Sequence, residues 1–193
     1  MVHGAVQHRV PTSTAVAVAI GLSSVTTAGS ATADEPGGKL SADVLAGYGL
    51  NEQYGLGVGV RAGYTLPSRV YVGAGYVYHF GITNPTPQGD AVYRVWLAGG
   101  EGGYEIPMGS FVVRPFLGVG LGAHTSTRCV PPTPGVGGCM ESTNRGFAVW
   151  PGVSLLLPVG VALFGVDLRS DFVTGDTYIF SLLVAFASAG VRF

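Results

Sequence analysis

The sequence predicts an all-β protein, an eight-stranded antiparallel up-and-down transmembrane β-barrel. Three observations predict it. Reading backwards in twos from Phe193, the residues Val191, Ala189, Ala187, Ala185 and Leu183 form a charge-free apolar stripe with the period of a strand. Comparable stripes recur in segments of about ten residues or more, the length that crosses a bilayer at a tilt. Once the apolar residues fix the outward face of each segment, nearly every charge falls on the other face.

Composition narrows the function classes. The chain has 193 residues, of which 32 are glycine and 11% are charged, enough for one domain and too apolar for disorder. A net charge of -1 and a single lysine, Lys39, leave no basic footprint, which excludes nucleic acid as a partner.

Residues 1–33 read as a secretory signal peptide. His3, His8 and Arg9 precede an uncharged stretch over 15–25, and Ala31-Thr32-Ala33 supplies a small-residue cleavage site. The expectation is an exported, unlipidated protein whose barrel domain spans 34–193, since no lipobox cysteine precedes that point.

Eight strands follow, over about 39–50, 54–66, 70–81, 91–106, 111–123, 145–157, 161–173 and 178–193. The first turns Asp43 inward and Tyr48 outward. In the second, Leu56, Val58, Val60, Ala62 and Tyr64 share the outward face, opposite Gly57, Gly59, Arg61 and Gly63. The third carries Tyr76, Tyr78 and Phe80 outward, with His79 inward. The fourth places Glu101 and Glu105 inward and Tyr104 outward. The fifth sets Val113, Leu117, Val119 and Leu121 against Arg114, Phe116, Gly118 and Gly120.

The sixth and seventh strands come from a run that could mislead. Residues 147–166 carry no charge, which a hydropathy window reads as a membrane helix. Pro151, Gly152, Pro158, Gly160 and Gly165 would break such a helix repeatedly, and Pro158-Val159-Gly160 is a turn signal. The run is therefore a descending strand, a tight turn and an ascending strand, the last with Phe164, Val166, Leu168 and Phe172 against Asp167, Arg169 and Asp171. The eighth strand is the stripe that ends on Phe193. Pro115 and Pro151 each remove a ladder donor, so bulges or local breaks are expected there.

An even strand count puts both ends on one side. With a periplasmic N-terminus, the connections around 67–69, 107–110 and 158–160 are all periplasmic and short. The other side receives 51–53, 82–90, 124–144 and 174–177, including the two longest connections, the asymmetry of a membrane barrel. Outward aromatics fall in two girdles, Tyr64, Tyr104, Phe111 and Phe193 at the periplasmic ends and Tyr48, Tyr76, Tyr78, Phe80, Phe147 and Phe172 at the extracellular ends.

The inward set is Lys39, Asp43, Arg61, Glu101, Glu105, Arg114, Asp167, Arg169, Asp171 and Arg192, five charges of each sign. Only Arg94 and Arg145 take outward parity, each beside an extracellular connection where a long side chain reaches the headgroups. A charge at the lipid midplane costs about 2–4 kcal/mol in such barrels, so its absence from the outward faces points to lipid around them. A soluble lipocalin-like ligand-binding barrel has the opposite pattern, with apolar residues inside and charges outside. The predicted location is the bacterial outer membrane.

Cys129 and Cys139, ten positions apart in a Pro- and Gly-rich stretch, are expected to form a loop disulfide in an exported chain. A metal site would need more ligands than these two sulfurs and a distant His124. No cofactor is expected.

The Phe193 ending, the segment Arg114-Pro115-Phe116-Leu117-Gly118-Val119-Gly120-Leu121-Gly122 and the strand Gly165-Val166-Asp167-Leu168-Arg169 resemble the small bacterial outer-membrane barrels of the OmpA transmembrane-domain and OmpX type. The resemblance covers nearly all of residues 34–193. It implies outer-membrane lipid and lipopolysaccharide as surroundings and a monomer. It also implies that the barrel-assembly machinery reads Val191 and Phe193 as a signal.

Inside a barrel of eight strands there is room for little beyond side chains. Pairing Ile106 with Phe111 would put Glu101 and Glu105 diagonally beside Arg114, and Asp43, Arg61, Asp167, Arg169 and Asp171 could extend a buried ionic network. Such a network plugs the lumen, because unpaired buried charges are costly. The alternative is a narrow gated pore or small-solute channel. Some barrels of the resembled type modify lipid A with Ser and His side chains, but here His79, His124 and Ser126 form no nucleophile motif and no catalytic residue is assigned. The loop over 124–144 is a further candidate, as a site for an extracellular ligand. The sequence thus predicts a structural or surface-interaction role.

Overall fold

In a computed structural model, which describes residues 38–50, 54–86, 89–133, 136–174 and 179–193, the chain closes into an antiparallel barrel. The predicted signal peptide lies outside the described residues. Ten strand segments occur among them: β1 (Lys39–Gly49), β2 (Tyr54–Thr65), β3 (Val70–Gly81), β4 (Thr83–Thr86), β5 (Gly89–Tyr104), β6 (Ile106–Met108), β7 (Phe111–Thr133), β8 (Val136–Val159), β9 (Ala162–Thr174) and β10 (Ile179–Arg192). Eight staves make the wall. Short β4 lies against β5 beyond the end of β3, and β6 continues the β5 ladder onto β7.

Each stave pairs with its neighbour in sequence. The β1–β10 ladder, from Ser41↔Arg192 to Gly49↔Val184, closes the circle. Closure leaves the staves without an open sheet edge, as an apolar environment requires. The uncharged run over 147–166 is strand, turn and strand, with Val159 opposite Ala162.

Short turns gather at the end of the barrel that carries the termini. Gly109 and Gly160 stand at φ 65° and 60°, first in two-residue turns that need this left-handed backbone. The third turn closes through Leu66 and Val70, and Arg69 takes the left-handed position at φ 69°.

Burial alternates with the predicted parity through the middle of the staves. Leu56, Val58, Val60, Leu117, Leu121, Val166 and Leu168 are exposed on the outer wall, while Arg61, Arg114, Asp167 and Arg169 are buried. Lys39 departs from the expectation. It is exposed, because β1 begins there at the open rim, where nothing packs over an inward side chain.

The other end differs from the expected loops. Residues 124–133 and 136–144 form a continued β-ribbon, paired from Ala123↔Arg145 to Val130↔Gly138 and, after one register shift, Thr133↔Val136. Its alternating Thr and Ser residues suit a strand, and the Pro and Gly content that signalled a loop is concentrated at the tip. Strand β5 follows β7 outward as far as Asp90↔Cys129, and β4 pairs with β5. A four-stranded sheet, β4-β5-β7-β8, thus stands beyond the rim.

Both prolines are accommodated without a bulge. Between Gly103↔Phe116 and Ile106↔Val113 the ladder lapses opposite Pro115 yet resumes in the same register. The β8–β9 ladder lapses likewise at Pro151, between Val149↔Phe172 and Gly152↔Arg169, while the β7–β8 ladder runs unbroken through both positions. Each proline directs its missing N–H at one neighbour only, so a local break suffices.

Candidate functional site

The lumen is filled in tiers. Nearest the termini, Glu105 accepts from Arg114 and from Arg192, and Thr65 Oγ1 donates to it at 3.0 Å. The turn places Met108 opposite Phe111 and Ile106 opposite Val113. This is two residues from the expected pairing of Ile106 with Phe111, and the same-face parity survives because the shift is even. The Arg114 guanidinium also lies 3.9 Å from the centre of the Tyr71 ring.

The middle tier is organised by Arg61. Its Nε and Nη2 donate to Asp43 Oδ2 at 2.9 and 2.6 Å, and its Nη1 donates to Asp167 Oδ2 at 2.9 Å. Glu101 Oε2 stands 4.0 Å from the same guanidinium, while its Oε1 accepts the Trp150 indole N–H at 2.9 Å. Strand register explains the first contact, since Asp43 and Arg61 are cross-strand partners on β1 and β2. The Asp167 contact crosses the lumen and has no local cause. A cavity of about 10 Å³ beside Glu101, Trp150 and Arg169 has room for roughly one water.

Above it, Arg169 pairs with Asp171 at 2.9 Å and covers the Phe186 ring. His79, fully buried, holds its Nε2 3.8 Å from Asp171. At the far end an aromatic group closes the mouth. The His124 ring stacks between Tyr93 and Phe180 at centroid distances of 5.7 and 4.7 Å, with Tyr54 edge-on at 6.3 Å. Burial pushes the His124 imidazole below its ordinary pKa.

Every residue of the predicted ionic set is therefore buried, but in separate tiers. Asp43, Arg61, Glu101 and Asp167 share one cluster, Arg169 and Asp171 a second, and Glu105 with Arg114 a third. Arg192 joins the third. The sequence reading did not single out Trp150, Tyr71, Thr65 or the Asp171 contact of His79. Trp150 could have been found, since its parity places it on the same face as Ser154 on β8.

Four arginines face five carboxylates across these tiers, and the ion pairs are at most a few per cent exposed except at the Glu105 end. This arrangement neutralises and fills a lumen. Neither nitrogen of His124 has a hydrogen-bond partner among the described residues, and its ring neighbours are aromatic rather than a serine and an acid. No group of three or more potential metal ligands occurs among the described residues.

On the projecting sheet, Cys129 and Cys139 form a disulfide between directly opposed positions of β7 and β8, with their Cα atoms 4.0 Å apart. It clamps the ribbon near its tip. At the opposite end, Val191 pairs with Ala42 and Ala162, and the Phe193 backbone exchanges two hydrogen bonds with Leu40 while its side chain stays exposed.

No protein-family model and no curated protein sequence matches this chain. Solved structures do. A major outer membrane protein from Thermus thermophilus is 14% identical over 81% of this chain and 99% of that one, with a TM-score of 0.60. Ail, the attachment invasion locus protein of Yersinia pestis, is 14% identical over 82% of this chain and 100% of that one, with a TM-score of 0.52. At such identities the likeness lies in the fold, a closed eight-stranded barrel.

Proposed function

We propose that the protein is an integral outer-membrane barrel with both termini periplasmic, a plugged lumen, and a surface-interaction role carried by the β4-β5-β7-β8 sheet. One observation carries this reading. The barrel is inside out for water, with an apolar outer wall and ion pairs buried within. An apolar belt of that extent favours lipid around it and would drive aggregation in water. The fold shared with outer-membrane proteins supports the same location.

Plugging favours interaction over transport. The ion pairs of the middle tier and the stacked His124 group occupy the lumen over much of its length. The sheet beyond the rim is the part free to meet a partner, and its disulfide holds it in shape. In this reading the surroundings are outer-membrane lipid and lipopolysaccharide, the barrel-assembly machinery recognises Val191 and Phe193, and the working form is a monomer.

The test is cell fractionation with heat-modifiable gel mobility. A soluble, heat-unmodified protein would overturn the location. Planar-bilayer recording then addresses the lumen: a steady pore in the wild type would replace the plug by a channel, and its loss of gating in Arg114→Ala would give the network that role. Deletion of 130–138 should abolish surface attachment or phage sensitivity while leaving the folded band unchanged. An unchanged phenotype would reduce the ribbon to a cap.

A further inference from the structure

At the rim of the barrel wall, two arginines escape the rule that charges face the lumen. Arg94 on β5 and Arg145 on β8 stand on the outer wall, both exposed, and neither has an ion pair or side-chain hydrogen bond among the described residues. They also share one panel. Arg94 lies opposite Thr125 of β7, Thr125 lies opposite Thr143 of β8, and Arg145 lies two positions further along β8, opposite Ala123. The Thr125 and Thr143 hydroxyls meet at 3.0 Å between the two cations.

The level of this panel is marked by its neighbours. Trp96, in the row of Arg145 and one row towards the termini from Arg94, stacks with Tyr76 at 6.5 Å, and below that Leu121 and Phe147 begin the apolar belt. Indole and phenol rings at this height identify the headgroup region. Elsewhere near this rim the outward positions are Tyr48, Leu56, Phe80 and Phe172, all without charge. Arginines placed only to reach water would have no reason to collect on one panel.

We propose that Arg94 and Arg145, with Thr125 and Thr143 between them, form a binding site for the phosphates of the outer-leaflet glycolipid, lipid A. Planar guanidinium groups on flexible stems take phosphate bidentately, and of the two bonded hydroxyls beside them the accepting one keeps its own proton to donate. The two acidic groups on the same face, Glu141 and Asp90, lie in rows further from the apolar belt, opposite Thr127 and Cys129. Thr127 Oγ1 is within 3.5 Å of Glu141. Negative charge is thus set beyond the headgroups, and positive charge at them. The site rests on the proposed outer-membrane location and orientation.

The experiment uses the full chain purified from membranes and placed in phosphatidylcholine nanodiscs containing diphosphoryl lipid A, with bound lipid counted by native mass spectrometry. Retained lipid A should fall by about tenfold or more in Arg94→Gln/Arg145→Gln, since two charge-assisted contacts are lost. It should fall comparably when the lipid A carries no phosphate, whereas Arg128→Gln on the other face of the sheet leaves it unchanged. Equal retention by the double variant, or by phosphate-free lipid A, overturns the site. Equal retention of phosphatidylglycerol overturns the assignment to the glycolipid. Heat-modifiable mobility separates the two readings. A chain that never inserts defeats the membrane location and this site together, and an inserted chain indifferent to Arg94 and Arg145 defeats this site alone.

Discussion

Arg61 binds Asp43 of the adjacent strand and Asp167 from across the lumen with one guanidinium, at 2.6 and 2.9 Å. It is the single cation of a cluster that also contains Glu101. Removing it leaves three carboxylates buried together. Arg61→Ala should cost about 3–5 kcal/mol of stability, the cost of stranding buried charge. Urea unfolding of the refolded barrel in micelles measures this. Adding Asp43→Asn and Asp167→Asn to the same variant should recover part of the loss, because the stranded charges are then neutral. A triple variant no more stable than Arg61→Ala would mean that packing, not charge, sets the cost.

Trp150 reaches Glu101 because Gly118 faces it. A Cβ at Gly118 would overlap the indole nitrogen, whereas one at outward Gly102 meets nothing within 4 Å. Gly118→Ala should therefore displace the indole and destabilise the barrel by about 1–3 kcal/mol, the usual cost of overpacking. Gly102→Ala should be silent. In a Trp96→Phe background the fluorescence of Trp150 reports the displacement, and an unchanged spectrum would contradict it.

His124 gives the mouth a pH dependence. Its folded pKa is lowered by burial, so the unfolded or opened state binds the proton more readily. The stabilising stack is fully present above the ordinary value of about 6.5 and is lost progressively as pH falls below it. Amide hydrogen exchange around 124–144 should accelerate between about pH 6.5 and 5, against the intrinsic trend, as His124 begins to protonate. His124→Phe keeps the stack and should remove the acceleration, while buried His79 is unchanged in that variant.

Phe193 contributes to the closed wall through its backbone. Its N–H and C=O pair with Leu40, and its side chain is 71% exposed. Phe193→Ala should leave the unfolding free energy within about 1 kcal/mol of wild type, since little side-chain contact is lost. If the side chain is an assembly signal, the heat-modifiable fraction in cells should drop sharply while refolding into detergent proceeds normally. Equal loss in both would assign Phe193 to stability.

The wall is legible from residue order. Period-two alternation, such as Leu56, Val58 and Val60 against Gly57, Gly59 and Arg61, decides which face of each stave is apolar. That is a local property, because adjacent residues in a strand point to opposite sides. The same alternation told which charges turn inward and left Arg94 and Arg145 as the exceptions. It also excluded the helix over 147–166, since prolines and glycines act on their own backbone. The partners of the buried charges come from the closed barrel. Asp167 and Arg61 are 106 positions apart, and their contact depends on the tilt and register of all eight staves, which no local pattern contains. The ribbon over 124–133 and 136–144 is illegible for a related reason: its Pro and Gly content signals a loop, and its strand character comes from the ladder and disulfide between β7 and β8.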